Sequence, residues 1–444
     1  MSLKFKDSME SVSSSLMLWQ QRPTQISVEN VYDLRVYPTT TILNEGAINF
    51  NIPQEPKGML SDIEIVTKFK IKKGEADLGE TDEISIINNF TNSLWQLLDV
   101  QIADRVDLTQ SLRNAYGFAT YFNYCLNFDE NRSDYLFATQ VFLMDSGKTK
   151  DESETVVFSG ESIKNEAGAK RAKRIKGSKS VTVSAPLHCP LFTTEKCLPT
   201  NMKIRISLTR NSDKFLLLGD SDEYKVHLED VHLRVTYFRP REVFLNLIEE
   251  RLMKEAALYF VTKPDLIVRP ISQSSRVIRL SNVFHGKLPK HCFFAIQKSA
   301  DFDGTFTSSP YSMVPFKKFQ LFLNGTPYFT EPLSIDYTEE NGAKIYSENW
   351  SYLQQLYRTI GKEFRGTCLV NSSNFQLNHM VGVSLTSDRS PSIAPYLSCQ
   401  SDGSSLIEID FGYERNQEPL VLIIYSIFDR LIKITGDRNI EVID

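Results

Sequence analysis

The chain has 444 residues, 41% of them hydrophobic and 28 of them phenylalanine, and this composition excludes a mostly disordered protein. Lysine and arginine number 50 against 55 aspartates and glutamates, so the net charge of −5 excludes a globally basic nucleic-acid binder. A single hydrophobic core rarely grows past about 250–300 residues, so two domains are expected.

The 28 phenylalanines and 18 tyrosines favour pleated sheet. Cys125, Cys189, Cys197, Cys292, Cys368 and Cys399 form no CxxC pair and read as free buried thiols of a reducing compartment. The histidines show no HExxH or Cys/His cluster, so no metal is expected. The first residues lack the apolar core of a signal peptide, and no run approaches the ~18 apolar residues of a membrane span. A soluble protein made inside a cell is the expectation.

In chain order, residues 1–19 form an N-terminal arm. Its Met9, Leu16, Met17 and Trp19 fit a short amphipathic segment for a neighbouring subunit, a frayed terminus being the plainer reading. Residues 47–53 alternate, with Ile48, Phe50 and Ile52 inward. Residues 62–73 do the same through Ile63, Ile65, Thr67, Phe69 and Ile71, the pattern of a half-buried antiparallel strand. Residues 164–179 carry many cations and no core periodicity, and read as a long loop after the acidic 150–154 stretch. Strands follow at 203–208 and 224–238, the second changing phase at Glu229-Asp230, which predicts a bulge. Phe244, Leu247, Ile248 and Leu252 then form a helical stripe between Pro240 and Pro264, a connector between two strand-rich halves. In the second half, Phe319, Leu321 and Leu323 alternate into Asn324-Gly325, a hairpin signal. A helix is expected over 348–360 with Gly361 at its end, then strands at 406–411 and 421–434. Many short strands with close turn signals imply an all-β fold of two tandem sandwiches or barrels.

No catalytic, cofactor-binding or metal-ligating set emerges: GxSxG, Walker and GxGxxG patterns are absent from the sequence. Asp301 and Asp303 beside Gly304 read as turn residues. His188 and Cys189, as strand neighbours, point to opposite faces and are poorly placed for proton transfer. The basic run Lys170, Arg171, Lys173, Arg174, Lys176 and Lys179 has three readings: a solvated loop, a nuclear-import signal, or a patch for DNA phosphates.

Residues 86–102 contain Asn88, Asn89, Phe90, Ser93, Leu94, Val100 and Ile102, with Trp95 where a phenylalanine would complete an NNFLHSLF-then-strand pattern. A strand and turn follow at 202–215. Residues 288–325 add Leu288-Pro289, Gly304, Pro310, Phe316, Phe319, Leu321, Leu323 and Gly325, with extra residues before Phe316. The C-terminal stretch adds Tyr425, Phe428, Ile432, Ile434, Asp437, Arg438 and Asn439. By their number, order and spacing, these resemble the double jelly-roll, hexon-like major capsid proteins of the Maverick/Polinton and adintovirus group, over the chain from about residue 20 onward. The resemblance implies two tandem jelly-roll β-sandwiches joined by a short helix: a first roll at 20–240, a connector at 241–260 and a second roll at 261–444. It implies homotrimers that act as pseudo-hexamers and tile an icosahedral virion shell around double-stranded DNA, with a penton partner. It also implies synthesis in the host cytoplasm, with assembly there or in the nucleus, and no enzymatic activity or cofactor. The alternative is a tandem β-sandwich that binds or hydrolyses glycans, which needs an aromatic cleft with two carboxylates about 5–9 Å apart.

Overall fold

A computed structural model describes residues 14–443 apart from 19–23, 42–45, 107–114, 129–131, 146–154, 159–160, 272–274, 341–342, 347–348, 361–367, 372–373, 376–377, 388–401, 414–417 and single positions 81, 104, 165, 193, 220, 285 and 336. Met9, Trp19, Gly361, Cys399 and the acidic 150–154 stretch lie outside the described residues.

The first half forms strands β1 (Val28–Val36), β2 (Ala47–Ile52), β3 (Met59–Lys73), β4 (Trp95–Ile102), β5 (Arg105–Val106), β6 (Val181–Pro186), β7 (Ile204–Arg210) and β8 (Tyr224–Pro240). They make two antiparallel sheets, in the orders β1-β8-β3-β6 and β2-β7-β4-β5. The second half supplies β9 (Ala257–Ile271), β10 (Val277–Ser281), β11 (His291–Lys298), β12 (Lys318–Leu323), β13 (Thr326–Pro327), β14 (Met380–Ser384), β15 (Ser405–Asp410) and β16 (Leu420–Ile434). Their sheets run β9-β16-β11-β14 and β10-β15-β12-β13. Counting these eight strands and leaving aside shorter ones, each half places its first, eighth, third and sixth in one sheet and its second, seventh, fourth and fifth in the other. This is the two-sheet jelly roll, built twice.

The alternation read from the sequence sets the inward faces. Ile63, Ile65, Phe69 and Ile71 of β3 are fully buried, as are Val231, Leu233 and Val235 of β8. The β8 register against β3 shifts between Leu228 and Asp230, so the bulge sits where the phase changes. It returns the apolar set to the core after the slip, which would otherwise turn every later side chain outward. Asn324 and Gly325 both have positive φ, 51° and 80°, and close the β12–β13 hairpin. The apolar β16 is buried on both faces through its first eight residues: it is a central strand between β9 and β11, with the second sheet on one face and the first half, through Phe122 against Tyr425, on the other.

Both sandwiches begin and end at one end of the molecule. Val28 opens β1 opposite Pro240, the last residue of β8, and Ala257 opens β9 opposite Ile434, the last of β16. Between them runs the connector helix, Glu242–Leu252. Strand β9 starts inside the stretch that the sequence reading gave to the connector. At the far end Lys73 faces Tyr224 and Ile271 faces Leu420.

Candidate functional site: the seam between the sandwiches

The sequence reading missed the element that joins the two halves. Ala115–Asn127 is a helix with aromatic side chains on every side, and it is buried almost throughout. Phe118 stacks on Phe302 with ring centroids 5.3 Å apart. Tyr121 stacks on Tyr311 at 4.2 Å, and Phe122 on Tyr425 at 5.2 Å. All three partners belong to the second sandwich, so this helix of the first half fills the gap between the two cores. The buried apolar residues of both halves form one continuous cluster.

Polar groups fix the register of this seam. The Tyr311 hydroxyl lies 2.5 Å from Ser93 Oγ. Asn89, in left-handed backbone with φ 54°, donates to the Gly117 carbonyl at 2.9 Å and to Thr120 Oγ1 at 3.0 Å. The Tyr121 hydroxyl donates to Asn378 Oδ1. Burial pushes the Tyr121 and Tyr311 phenols well above their usual range, so both stay neutral hydrogen-bonding groups. Near the connector, Arg438 binds Glu249 at 2.7 Å and the Thr200 carbonyl at 2.9 Å. Tyr259 donates to the Cys197 carbonyl at 2.8 Å. Removing one hydroxyl tests the network. Tyr311→Phe leaves Ser93 without its buried partner, and thermal unfolding should show a loss of about 1–2 kcal/mol.

Beside Asn378 sits His379, buried, its ring 4.4 Å from Phe316 and 4.7 Å from Phe375. Its Nε2 accepts the Phe316 N–H at 3.4 Å. Burial lowers the imidazole pKa from 6.5 to about 3. Below pH 6.5 the unfolded chain therefore binds a proton that the folded one refuses. Stability is fully present above about pH 6.5 and is lost as pH falls toward 3. Between pH 7 and 5 the expected loss is about 2 kcal/mol, at ~1.4 kcal/mol per pH unit once below 6.5. Denaturant midpoints at the two pH values measure it, and His379→Gln should flatten the dependence.

The residues weighed for chemistry do not converge. His188 Nε2 lies 2.9 Å from the Tyr124 hydroxyl, while Cys189 is buried and its thiol is pushed up to about 12 by that burial. A protonated, buried thiol is a poor nucleophile. Asp301 lies in the short helix Ser299–Asp303 and accepts a hydrogen bond from Ser308, as a turn residue does. Among the described residues no group of three or more His, Cys, Asp or Glu is placed to hold a metal. None of their helices is long and apolar enough to cross a membrane.

The basic run is where the structure corrects the sequence reading. Residues 166–175 are a helix, Glu166–Ile175, followed by the turn Lys176–Ser178; they are not a loop. Arg171 faces the core with no exposed surface. Its Nε donates to the Ile86 carbonyl at 2.9 Å and Nη1 to the Leu143 carbonyl at 2.8 Å. Nη2 pairs with Asp145 at 2.5 Å. Arg171 is thus a core residue and cannot meet a phosphate. Lys170 is paired with Glu166 at 2.5 Å, and Arg174 lies 5.0 Å over the Phe137 ring. Lys170, Lys173, Arg174, Lys176 and Lys179 remain on the surface. Ser178 Oγ donates to the Ile71 carbonyl, which places this patch at the far end, away from the connector.

Two jelly rolls of one strand order, sharing a core in a single chain, define the double jelly roll, the architecture of viral major capsid proteins. Solved structures share it over nearly their whole length. A chain of the Sputnik virophage aligns with a TM-score of 0.62 at 11% identity, over 98% of this chain and 93% of that one. The Faustovirus major capsid protein gives 0.57 at 6%, over 94% and 92%. The mavirus major capsid protein gives 0.56 at 10%, over 100% and 97%. No protein-family model matches the sequence, and no curated protein does.

Proposed function

We propose that this protein is a major capsid protein whose trimers act as pseudo-hexamers and tile an icosahedral shell around double-stranded DNA. The observation that carries this reading is the seam. Two sandwiches of identical strand order are locked side by side in one chain, so three copies about a three-fold axis present six similar sandwiches. Obligate interfaces of that kind commonly bury more than about 2,000 Å². The chain is read as non-enzymatic, divided into an arm at 1–19, a first roll at 20–240, a connector at 241–260 and a second roll at 261–444. A penton protein completes the vertices, and the virion is the site of action, after synthesis in the host cytoplasm and assembly there or in the nucleus.

The glycan-binding alternative gains no support, since the large aromatic clusters are buried in the seam. For the basic helix we retain a phosphate-contact or import role carried by Lys170, Lys173, Arg174, Lys176 and Lys179 alone. Light scattering on the purified protein tests the main reading: the expected mass is three chains. A monomer at high concentration overturns it, and electron microscopy with a penton partner tests the shell.

A further inference from the structure

Among the described residues the connector helix has one face uncovered. Val243 is 70% exposed and Leu247 56% exposed, and at i, i+4 they stand on one side of the helix. That side is held outward. Glu249, roughly 160° around the helix from Leu247, is tied to Arg438 at 2.7 Å and to Thr200 at 2.8 Å, and Leu252 is buried beneath. Met253, and Leu258 and Phe260 of β9, are further exposed apolar residues just after the helix. Exposed apolar surface of this kind marks a protein or membrane contact. The charges along the helix favour a protein. Arg241, Arg251 and Lys254 are balanced by Glu242, Glu250 and Glu255, and an anionic bilayer would select a cationic excess.

The N-terminal arm has the complementary problem. Leu16, Met17 and Leu18 are exposed. Its root lies beside the start of the helix, where the Arg241 N–H donates to the Ser27 carbonyl at 2.9 Å. Eight residues lie between Leu18 and Ser27, a reach of about 30 Å when extended. The 11-residue helix is only about 16 Å long. The arm is therefore long enough to lie along the full length of such a helix, while among the described residues of one copy both apolar surfaces stay uncovered.

We propose that the outward face of the connector helix receives the N-terminal arm of a neighbouring copy, with Leu16–Leu18 seated against Val243 and Leu247. This rests on the reading that copies assemble. Around a closed ring each copy then gives one arm and receives one.

Two differently tagged copies test it when co-expressed, one carrying Leu18→Cys and the other Leu247→Cys, and then mildly oxidised. The expected result is a mixed-tag disulfide adduct at least tenfold above that of a control in which Tyr135→Cys, an exposed position on another helix, replaces Leu247→Cys. Trimers or shells without that adduct overturn this inference and leave the capsid reading intact, whereas a monomer by light scattering overturns both. A disulfide formed only inside a chain carrying both substitutions assigns the face to the chain's own arm. Flotation with phosphatidylcholine vesicles, abolished by Leu247→Ser, assigns it to lipid; either outcome overturns the exchange.

Discussion

Replacing Gly304 with alanine is expected to destabilise the protein by about 3–5 kcal/mol, read as a fall in the denaturant midpoint at unchanged slope. Gly304 ends the Ser299–Asp303 helix with φ 88° and ψ 131°, a conformation that costs an L-residue about 1–3 kcal/mol. A Cβ there would also lie 2.7 Å from Phe215 Cα and 3.0 Å from its backbone nitrogen. Phe215 belongs to the first sandwich, in the short helix Asp213–Leu216. The turn of the second half thus touches the backbone of the first, and no flexible side chain can yield. Overpacking of this kind adds about 1–3 kcal/mol. Gly177→Ala is the control, because Gly177 also has positive φ, 66°, but a Cβ there meets nothing within 4 Å. It should show the backbone cost alone, about 1–2 kcal/mol. Equal losses in the two variants would mean that the close approach across the seam contributes nothing.

Arg171→Met should cost a similar amount, about 3–5 kcal/mol, because it removes a fully buried guanidinium from a half-buried carboxylate and two carbonyls. The guanidinium satisfies Asp145, Leu143 and Ile86 at once and so ties the 166–175 helix to the strand at Ile84–Ile86. Lysine cannot reproduce the fork, so Arg171→Lys should recover little. Lys173→Glu and Lys176→Glu, on the exposed side, should change stability by no more than about 0.5 kcal/mol. They are the substitutions with which to test phosphate contact, as a reduced salt dependence of DNA retention. If Arg171→Met melts like the native protein, the buried role assigned to Arg171 is wrong.

The legibility of the fold followed the periods. Strands with one wet face, such as β3 and β8, announce themselves by alternation, and even the β8 bulge is visible as a change of phase. The Ala115–Asn127 helix is not, because both of its sides are buried between two cores. Its Phe118, Tyr121, Phe122 and Cys125 stand at i, i+3, i+4 and i+7, but Tyr116 and Tyr124 on other sides blur the stripe. The Glu166–Ile175 helix was hidden for the opposite reason: its core-facing positions include Ala167, Arg171 and Ile175. A basic residue in the middle of that i, i+4, i+8 row reads as solvent-facing until its acceptors are seen. The connector helix was legible as a helix, but Leu247 of its stripe points outward, since Glu249 and Arg438 set the rotation. The seam itself joins residues about 200–300 positions apart, as in Ser93–Tyr311 and Phe122–Tyr425, a spacing that no local pattern encodes.

That separation has a consequence for the protein while it is being made. The 115–127 helix leaves the ribosome long before Phe302, Tyr311, Asn378 and Tyr425, the residues that cover it. At ~5–20 residues per second, the roughly 300 residues between Phe122 and Tyr425 take about 15–60 s to synthesise. For that interval the first sandwich carries an unshielded aromatic ridge on its flank. A nascent chain in this state is a client for chaperones and a nucleus for aggregation on crowded polysomes. Codon changes that slow translation between residues 130 and 425 should therefore lower the soluble yield, although the finished amino-acid sequence is untouched.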